Sequence, residues 1–407
     1  MAVDKLIVVL DAQVEALEEE GRAKGAEAVV TRVIPPKEGR GPRFMLRGEG
    51  EKQFIRMNSN SYLGMGLRNE VIEAEEAGSR TYGAGPGAVR FISGTYEAHI
   101  ELERELAEFH GREAGMIFSS AYATVMGILT PLITEETAVV SDALNHNCII
   151  NAMRLARPAT KAVYPHKDLE ALDRACADAV GKANRLMVVT DGIFSMRGDH
   201  APLGEIVRIV RKYDARFDEN AFLVVDDSHG VGAFGETGRG TEEYTEARAD
   251  ILVGTLGKAF GVNGGYVVAD EGVIRYLRET SPFYIYSNPI TPGEARAATT
   301  ALQVLDSPLG PQLLTHLRAL TKRFEEGLGA LGMETIPGDH PVVPLMVRDT
   351  ARTKALVAHL HANGVLATGL TFPVVPEGDE EIRFQINADH SEGDIDRVLE
   401  VLGSFDA

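Results

Sequence analysis

The sequence predicts an α/β protein with a large domain on a mostly parallel sheet and a smaller α+β domain after it. Short apolar runs bounded by turn residues recur through the middle of the chain, at Ala114–Phe118, Ala138–Val140, Leu186–Thr190, Phe222–Val225, Ile251–Val253 and Tyr266–Ala269. Stretches between several of them, such as 168–181 and 203–216, carry helical periodicity. Apolar strands alternating with helices are the pattern of a sheet covered on both faces. After about residue 292 the pattern changes to long helical stretches, then to strand, helix, strand, helix. A length of 407 residues accommodates two or three domains.

Taken in order, residues 4–20 place Leu6, Val9, Leu10, Val14 and Leu17 at helical spacing, ending in Glu18–Glu20 and Gly21. This reads as an amphipathic helix packed on the body or on a partner subunit. Residues 31–43, with Pro35, Pro36, Gly39, Gly41 and Pro42, read as a connector, and 44–57 as a short hairpin turning through Glu49–Glu51. The resulting division is 1–57 for the N-terminal helix and hairpin, 58–291 for the large domain and 292–407 for the small one. Within the last, helices are expected at 292–306, 311–331, 351–363 and 391–403, and strands at Val342–Val347 and Ile382–Asn387. The loop 369–381, containing FPVVPEG, is expected to border a site.

The net charge of −19, with no block of Lys and Arg, argues against a general nucleic-acid binder. Two cysteines, Cys148 and Cys176, exclude a disulfide framework and favour a reducing, cytoplasmic compartment. No apolar run reaches the length of a membrane span, and the acidic N-terminus does not read as a signal peptide.

Several segments can carry chemistry. Gly254-Thr-Leu-Gly-Lys258-Ala-Phe-Gly sets one lysine among small residues after an apolar strand. Such a lysine can act as a covalent catalyst when its pKa is lowered, although alone a Lys among glycines is more often a solvated turn. Leu223-Val-Val-Asp226-Asp227-Ser228-His229 ends a strand in two acids and a His, where open sheets bind ligands. An Asp there can keep a ring nitrogen protonated, or it can cap the next helix. In Ser141-Asp-Ala-Leu-Asn-His146-Asn-Cys148, the His can stack on a flat ring or serve structure alone; no ligand pair at metal spacing accompanies it, so no metal is expected. Phe118-Ser119-Ser120-Ala121-Tyr122 passes from strand to helix and offers N–H groups to a phosphate. Gly83-Ala-Gly85-Pro-Gly87 through Gly94 lacks the strand and helix that a dinucleotide fingerprint needs, and reads better as a glycine-rich active-site loop. Arg383, on a predicted strand, can clamp a carboxylate or sit in a surface salt bridge.

The order and spacing of these segments resemble the α-oxoamine synthases, pyridoxal-phosphate enzymes of fold type I, from about Asn58 to the C-terminus. The resemblance is carried by SNSYLG (59–64), GAVRFISGTYEAHIELE (87–103), SDALNHNCII (141–150), TDGIFSM (190–196), VDDSHGVGAFGETGRG (225–240), GTLGKAFG (254–261), YSNPITP (286–292) and TGLTFPVVPEGDEEIRFQINADHS (368–391). It implies a fold of the seven-stranded type and pyridoxal 5'-phosphate as cofactor. Lys258 would be the Schiff-base lysine and the base for the substrate's Cα proton. Asp226 would pair with the pyridinium nitrogen, and His229 and Ser195 would face the phenolic oxygen. His146 would stack on the ring. The N–H groups of Ala121 and Tyr122 would hold the cofactor's phosphate, with Ser287 reaching it from across a dimer interface, and Ser120 and Thr255 would also bind the cofactor. Arg383 and Asn60 would bind the amino-acid carboxylate. If Ser287 reaches across, the enzyme is at least a homodimer with active sites at the interface.

The DALNH, TDGIFSM, VDDSH, YSN and FPVVPEG segments look most like glycine C-acetyltransferase, implying glycine and acetyl-CoA as substrates. The chain departs from the family pattern at Val125, where Asn is usual, and at Arg197, where an acid is usual. AFG after Lys258 and GAGPGAVRFISG are shared more with the 5-aminolevulinate, 8-amino-7-oxononanoate and serine palmitoyl synthases. A decarboxylating synthase with another acyl-CoA or amino acid is therefore the alternative. A fold type I aminotransferase would use the same Lys258, Asp226 and Arg383.

Overall fold

Seven strands make the central sheet: β1 Ala114–Phe118, β2 Thr137–Asp142, β3 Thr160–Tyr164, β4 Arg185–Asp191, β5 Ala221–Asp226, β6 Ile251–Thr255 and β7 Gly265–Ala269. The computed structural model describes every residue except 1, 2, 21, 24, 38, 373, 406 and 407. Gly21, expected at the end of the first helix, and Pro373, in the expected 369–381 loop, are thus outside the described residues. The strand order is β1-β7-β6-β5-β4-β2-β3, and only β7 runs against its neighbours.

Alternation along the strands explains the unbroken apolar runs. Leu186 and Val188 of β4 point into one core, together with Leu223 and Val225 of β5; Met187, Val189 and Val224 point into the other. Each fully buried side chain of this size contributes roughly 1.5–3 kcal/mol. The exception is β3, an edge strand whose residues alternate between exposed and covered and which carries Lys161. A half-exposed strand shows no continuous apolar run, and the sequence pattern did not reveal it. Parallel crossovers put the carboxyl ends of β2, β4, β5 and β6 on one side, where Asp142, Asp191, Asp226 and Thr255 lie.

The N-terminal region corrects the expectation of a connector over 31–43. Val30–Ile34 is a strand, paired antiparallel with Arg43–Leu46. Its β-branched residues favour that pairing; Pro35 and Pro36, which suggested a connector, simply end the strand. The expected hairpin forms in part, through the Phe44–Phe54 bridge. Ile55–Arg56 instead pairs in parallel with Val365–Leu366, near the other end of the chain. The Gly41 N–H donates to Asp394 Oδ2 at 2.8 Å, and Arg43 is ion-paired with the same carboxylate. Helix Asp4–Glu19 forms as expected but buries none of its residues within this chain.

Helix Pro292–Leu305 begins with a capping box, Thr291 with Glu294, and packs on helices Asn69–Tyr82 and Glu97–Phe109. Beyond it, Val342–Met346, Glu381–Gln385 and Thr368–Leu370 form an antiparallel sheet with Glu381–Gln385 in the centre. The stretch expected as loop 369–381 therefore starts and ends in strands, with a turn between. Helices Leu309–Ala330 and Thr350–Ala362 pack on this sheet, and Glu392–Gly403 packs against both helices. Among the described residues, no helix is long and apolar enough to cross a membrane.

Candidate active site

The site grows from the strand ends. Successive residues of a strand face opposite sides, so Asp226 and Asp227 part company. Asp226 turns into a pocket and accepts from Ser228 N (3.1 Å) and Ser228 Oγ (2.6 Å). Asp227 turns away and accepts from Thr241 N at 2.7 Å and Thr241 Oγ1 at 2.5 Å, tying down the loop 230–240. Burial pushes its carboxyl up to about 8. Gly240 lies against it with φ of +87°, and a Cβ there would come within 2.0 Å of the carboxylate.

Lys258 enters the same pocket from the turn after β6. Thr255 Oγ1 accepts from Gly257 N at 3.1 Å and the Lys258 carbonyl accepts from Gly261 N at 3.0 Å, which fixes the turn. Burial lowers the Lys258 amine to about 8, against the opposing pull of Asp226 and Asp191. A lysine in that range is a usable proton acceptor.

His146 caps helix Asn147–Leu155 and donates its backbone N–H to Asp191 Oδ2 at 3.0 Å. Its ring Nδ1 lies 2.9 Å from Cys148 Sγ and accepts from Cys148 N at 3.3 Å. Burial holds the imidazole below its ordinary pKa, so it is neutral. Asn145 clamps the turn beneath, donating to the Val189 carbonyl at 2.9 Å and accepting from Asp191 N at 2.8 Å.

Opposite, helix Ala121–Leu132 starts at the mouth of β1. Ser120 Oγ accepts from Ala123 N at 3.1 Å, and the Ser120 carbonyl accepts from Thr124 N at 2.9 Å. Among the described residues, the N–H groups of Ala121 and Tyr122 make no hydrogen bond, and both residues line the pocket. A Cβ on Gly265 would fall 2.6 Å from Ala121 N, so only glycine lets β7 run this close to the helix start.

His229 Nδ1 lies 2.7 Å from Tyr62 Oη, and Tyr62 Oη lies 3.3 Å from Asn60 Oδ1. Burial, helped by Lys258 and Arg383, keeps His229 neutral. Arg383 Nη1 donates to the Ser195 carbonyl at 2.8 Å and its Nη2 to Asn60 Oδ1 at 3.4 Å.

Of the expected residues, Lys258, Asp226, His229, His146, Ser195, Ala121 and Tyr122 line one pocket. Ser120 and Thr255 stand just behind it, shaping the turns that carry Ala121 and Lys258. Arg383 and Asn60 reach it through Ser195 and Tyr62. Ser287 is half-buried, with its hydroxyl 3.4 Å from the Asn288 carbonyl, and is not among the residues lining the pocket of its own chain. The glycine-rich stretch after Gly83 does not line it either; its Arg90 is buried against Glu103.

Sequence reasoning passed over Asp191, Cys148 and Tyr62. The strand-end rule that found Asp226 would have found Asp191, which occupies the same register position on β4. Asp191 Oδ1 is buried and has no hydrogen-bond partner among the described residues. An open polar atom, two free N–H groups at a helix start and a lysine of lowered pKa together suit a flat ring bearing a protonated nitrogen, an aldehyde and a phosphate.

Comparison with known proteins agrees with that fit. The family model "Aminotransferase class I and II" matches residues 52–402. The 8-amino-7-oxononanoate synthase 1 of Bacillus velezensis is 37% identical over 366 residues, covering 89% of this chain and 90% of that protein. The chain belongs to the α-oxoamine synthase family. Among solved structures, a high-resolution structure of SPT with PLP internal aldimine superposes with a TM-score of 0.87 at 27% identity, covering 99% of this chain and 97% of that one. The Sphingomonas wittichii serine palmitoyltransferase gives a TM-score of 0.87 at 28% identity, covering 99% and 96%. The fold is that of the fold type I pyridoxal-phosphate transferases, and the cofactor of this α-oxoamine synthase is pyridoxal 5'-phosphate. The relative named here is an 8-amino-7-oxononanoate synthase, one of the alternatives the sequence left open, and not a glycine C-acetyltransferase.

Proposed function

We propose that this α-oxoamine synthase joins a small amino acid to an acyl-CoA, releases CoA and CO₂, and leaves a 2-amino ketone. The observation that carries the reading is the meeting of Lys258, Asp226, His146 and His229 in one pocket, with Arg383 held beside it by Ser195. An 8-amino-7-oxononanoate product divides between C7 and C8 into an alanine-derived fragment and a seven-carbon diacid acyl group. Alanine and pimeloyl-CoA are therefore the leading pair, ahead of glycine and acetyl-CoA.

Pyridoxal phosphate, when bound, draws into its ring the electron pair left at the substrate's Cα. The chain's own residues do the rest. Arg383, with Asn60, binds the amino-acid carboxylate and orients the Cα–H bond. Lys258 Nζ takes the Cα proton, and its lowered pKa leaves it partly unprotonated near neutrality. Asp226 keeps a proton on the pyridine nitrogen. With its Nδ1 facing Tyr62, His229 would have Nε2 to offer the cofactor's phenolic oxygen, beside Ser195. His146 accepts the Cys148 N–H at Nδ1, so Nε2 carries the proton and donates it to the acyl carbonyl. The N–H groups of Ala121 and Tyr122, flanked by Ser120 and Thr255, hold the phosphate. Ser287 serves the site of a second copy in a homodimer. Cytoplasmic residence belongs to this proposal, on the scarcity of cysteine.

A CoA-release assay on cofactor-loaded protein tests the reading. Glycine, alanine and serine are paired with acetyl-, succinyl-, pimeloyl- and palmitoyl-CoA, and released CO₂ is trapped. CoA and CO₂ released together, fastest with one longer acyl chain, is the expected result. Release with glycine and acetyl-CoA without CO₂ would return the enzyme to the glycine C-acetyltransferase reading. Amino-group exchange with a keto acid and no CoA release would make it an aminotransferase.

A further inference from the structure

His166 stands just past the edge strand β3, outside the pocket lining, and sits between two carboxylates. Its Nδ1 is 3.1 Å from Asp142 Oδ1 and 3.3 Å from Asp142 Oδ2, and its Nε2 is 3.1 Å from Asp199 Oδ2. Phe194 packs edge-on against the ring at 4.3 Å between centroids. A neutral imidazole has a single N–H. One of its nitrogens would then face a carboxylate oxygen lone pair to lone pair, and only the doubly protonated ring satisfies both contacts.

The surroundings favour that charge. Burial opposes it, but the hydrogen bonds and fields of Asp142 and Asp199 outweigh burial and hold His166 above its ordinary pKa. Lys167 Nζ, 3.3 Å from Asp199 Oδ2, and Arg197 Nε, 3.7 Å from the same oxygen, are the cations present. Tyr164 lies near Asp142, and its phenol is pushed upward by burial and stays neutral. Asp142 is itself fixed, accepting from Leu144 N at 2.8 Å and Lys167 N at 3.0 Å.

The two carboxylates belong to different walls of the site. Asp142 ends β2 and starts the turn that leads to Asn145 and His146. Asp199 closes the turn 193–200, which is pinned by the Ile193–His200 bridge and by Phe194 N donating to the Asp199 carbonyl at 2.9 Å. That turn presents Ser195, whose carbonyl receives Arg383 Nη1.

We propose that His166 is a positioning residue: as an imidazolium shared by Asp142 and Asp199, it locks the turn carrying Ser195, and through it Arg383, to the strand end carrying His146. This rests on the reading of Arg383 as the carboxylate clamp. Amino-acid binding then weakens as pH rises and His166 loses its charge, while the proton transfer by Lys258 is not directly touched.

The test uses the cofactor-loaded enzyme and alanine, with binding read from the absorbance of the bound cofactor. His166→Gln, which keeps bulk but no charge, is expected to raise the alanine Kd about tenfold, the size of effect for a lost charge-assisted contact. It should retain cofactor absorbance and lower kcat at saturating alanine by less than Kd rises. The wild type should show a basic limb in Kd that His166→Gln lacks. Asp199→Asn is the second variant, expected to lower the His166 pKa read from its ¹⁵N imidazole shifts and to move the basic limb with it. Neutral-ring shifts for His166 in the wild type at pH 6, or an unchanged alanine Kd in His166→Gln, would overturn the proposal. If the CoA-release assay finds no condensation while His166→Gln still weakens alanine binding, the reaction assignment fails and this one stands.

Discussion

Asp191 and Asp226 stand side by side in register at the ends of adjacent parallel strands, and their carboxyls face the same pocket. Two acids this close in a buried place do not both ionise readily. Burial and the charge of Asp226 raise Asp191 well above the usual carboxylate range, which makes it the protonated partner. Asp191→Asn is therefore expected to keep cofactor affinity within about threefold. Asp226→Asn should weaken it by at least about tenfold, the worth of one lost charged contact. Titration of the apoenzyme with pyridoxal phosphate, followed by absorbance, compares the two; equal losses would contradict the division of roles.

In the cofactor-free protein, Lys258 should titrate near pH 8, because burial depresses it. Its folded pKa lies below its unfolded one. Charging it in the native state therefore costs stability, and that cost disappears as pH rises from about 8 towards the unfolded value of about 10.4. The rate of reductive methylation at Lys258, followed by peptide mass spectrometry, should reach half its maximum near pH 8. A midpoint above 10 would be incompatible. Lys258→Ala should abolish turnover while still retaining cofactor weakly.

The Cys148 backbone N–H donates to His146 Nδ1, so the ring's remaining proton belongs on Nε2. The thiol, 2.9 Å away, is a second neighbour of the same nitrogen. Burial and Asp226 drive the thiol pKa upward, so it stays protonated. Cys148→Ser is expected to keep the Nε2–H tautomer in ¹⁵N spectra and most of the activity. Cys148→Val, which removes the polar neighbour, should lower kcat several-fold with little change in amino-acid KM.

Asp394 ties the two ends of the chain together. It accepts from Gly41 N and Ser391 N and pairs with Arg43. These contacts hold its carboxyl below the ordinary value despite burial. The stabilisation is present above the unfolded carboxylate pKa of about 3.9 and is lost as pH falls through the lower folded value. Asp394→Asn should cost about 2–4 kcal/mol in urea unfolding near neutral pH. The difference from wild type should shrink under acid conditions.

The large sheet was legible because β4, β5 and β6 are buried on both faces, which turns each into an apolar run. The edge strand β3 and the strand Val30–Ile34 were not, since each has an exposed face and prolines follow the second. Lys258, Asp226, His146 and His229 could be read because they stand in short motifs at strand ends. Tyr62, Cys148 and His166 could not, because what each does is decided by neighbours brought near only by folding, as with Tyr62 and His229. The choice of acyl chain was illegible because the motifs the sequence offers gather around the cofactor pocket, at Lys258, Asp226, His229 and His146.

Ile55–Arg56 finds its strand partner only at Val365–Leu366. During synthesis that strand waits, unpaired, until most of the polypeptide has left the ribosome. The sheet that bears Lys258 closes over much shorter loops and can form earlier. Asn60 follows the early strand closely, and Arg383 lies just beyond the late one. On the roles proposed here, the order of assembly separates two capacities: the lysine's chemistry is in place first, and the grip proposed for Asn60 and Arg383 is completed only when beginning and end have met.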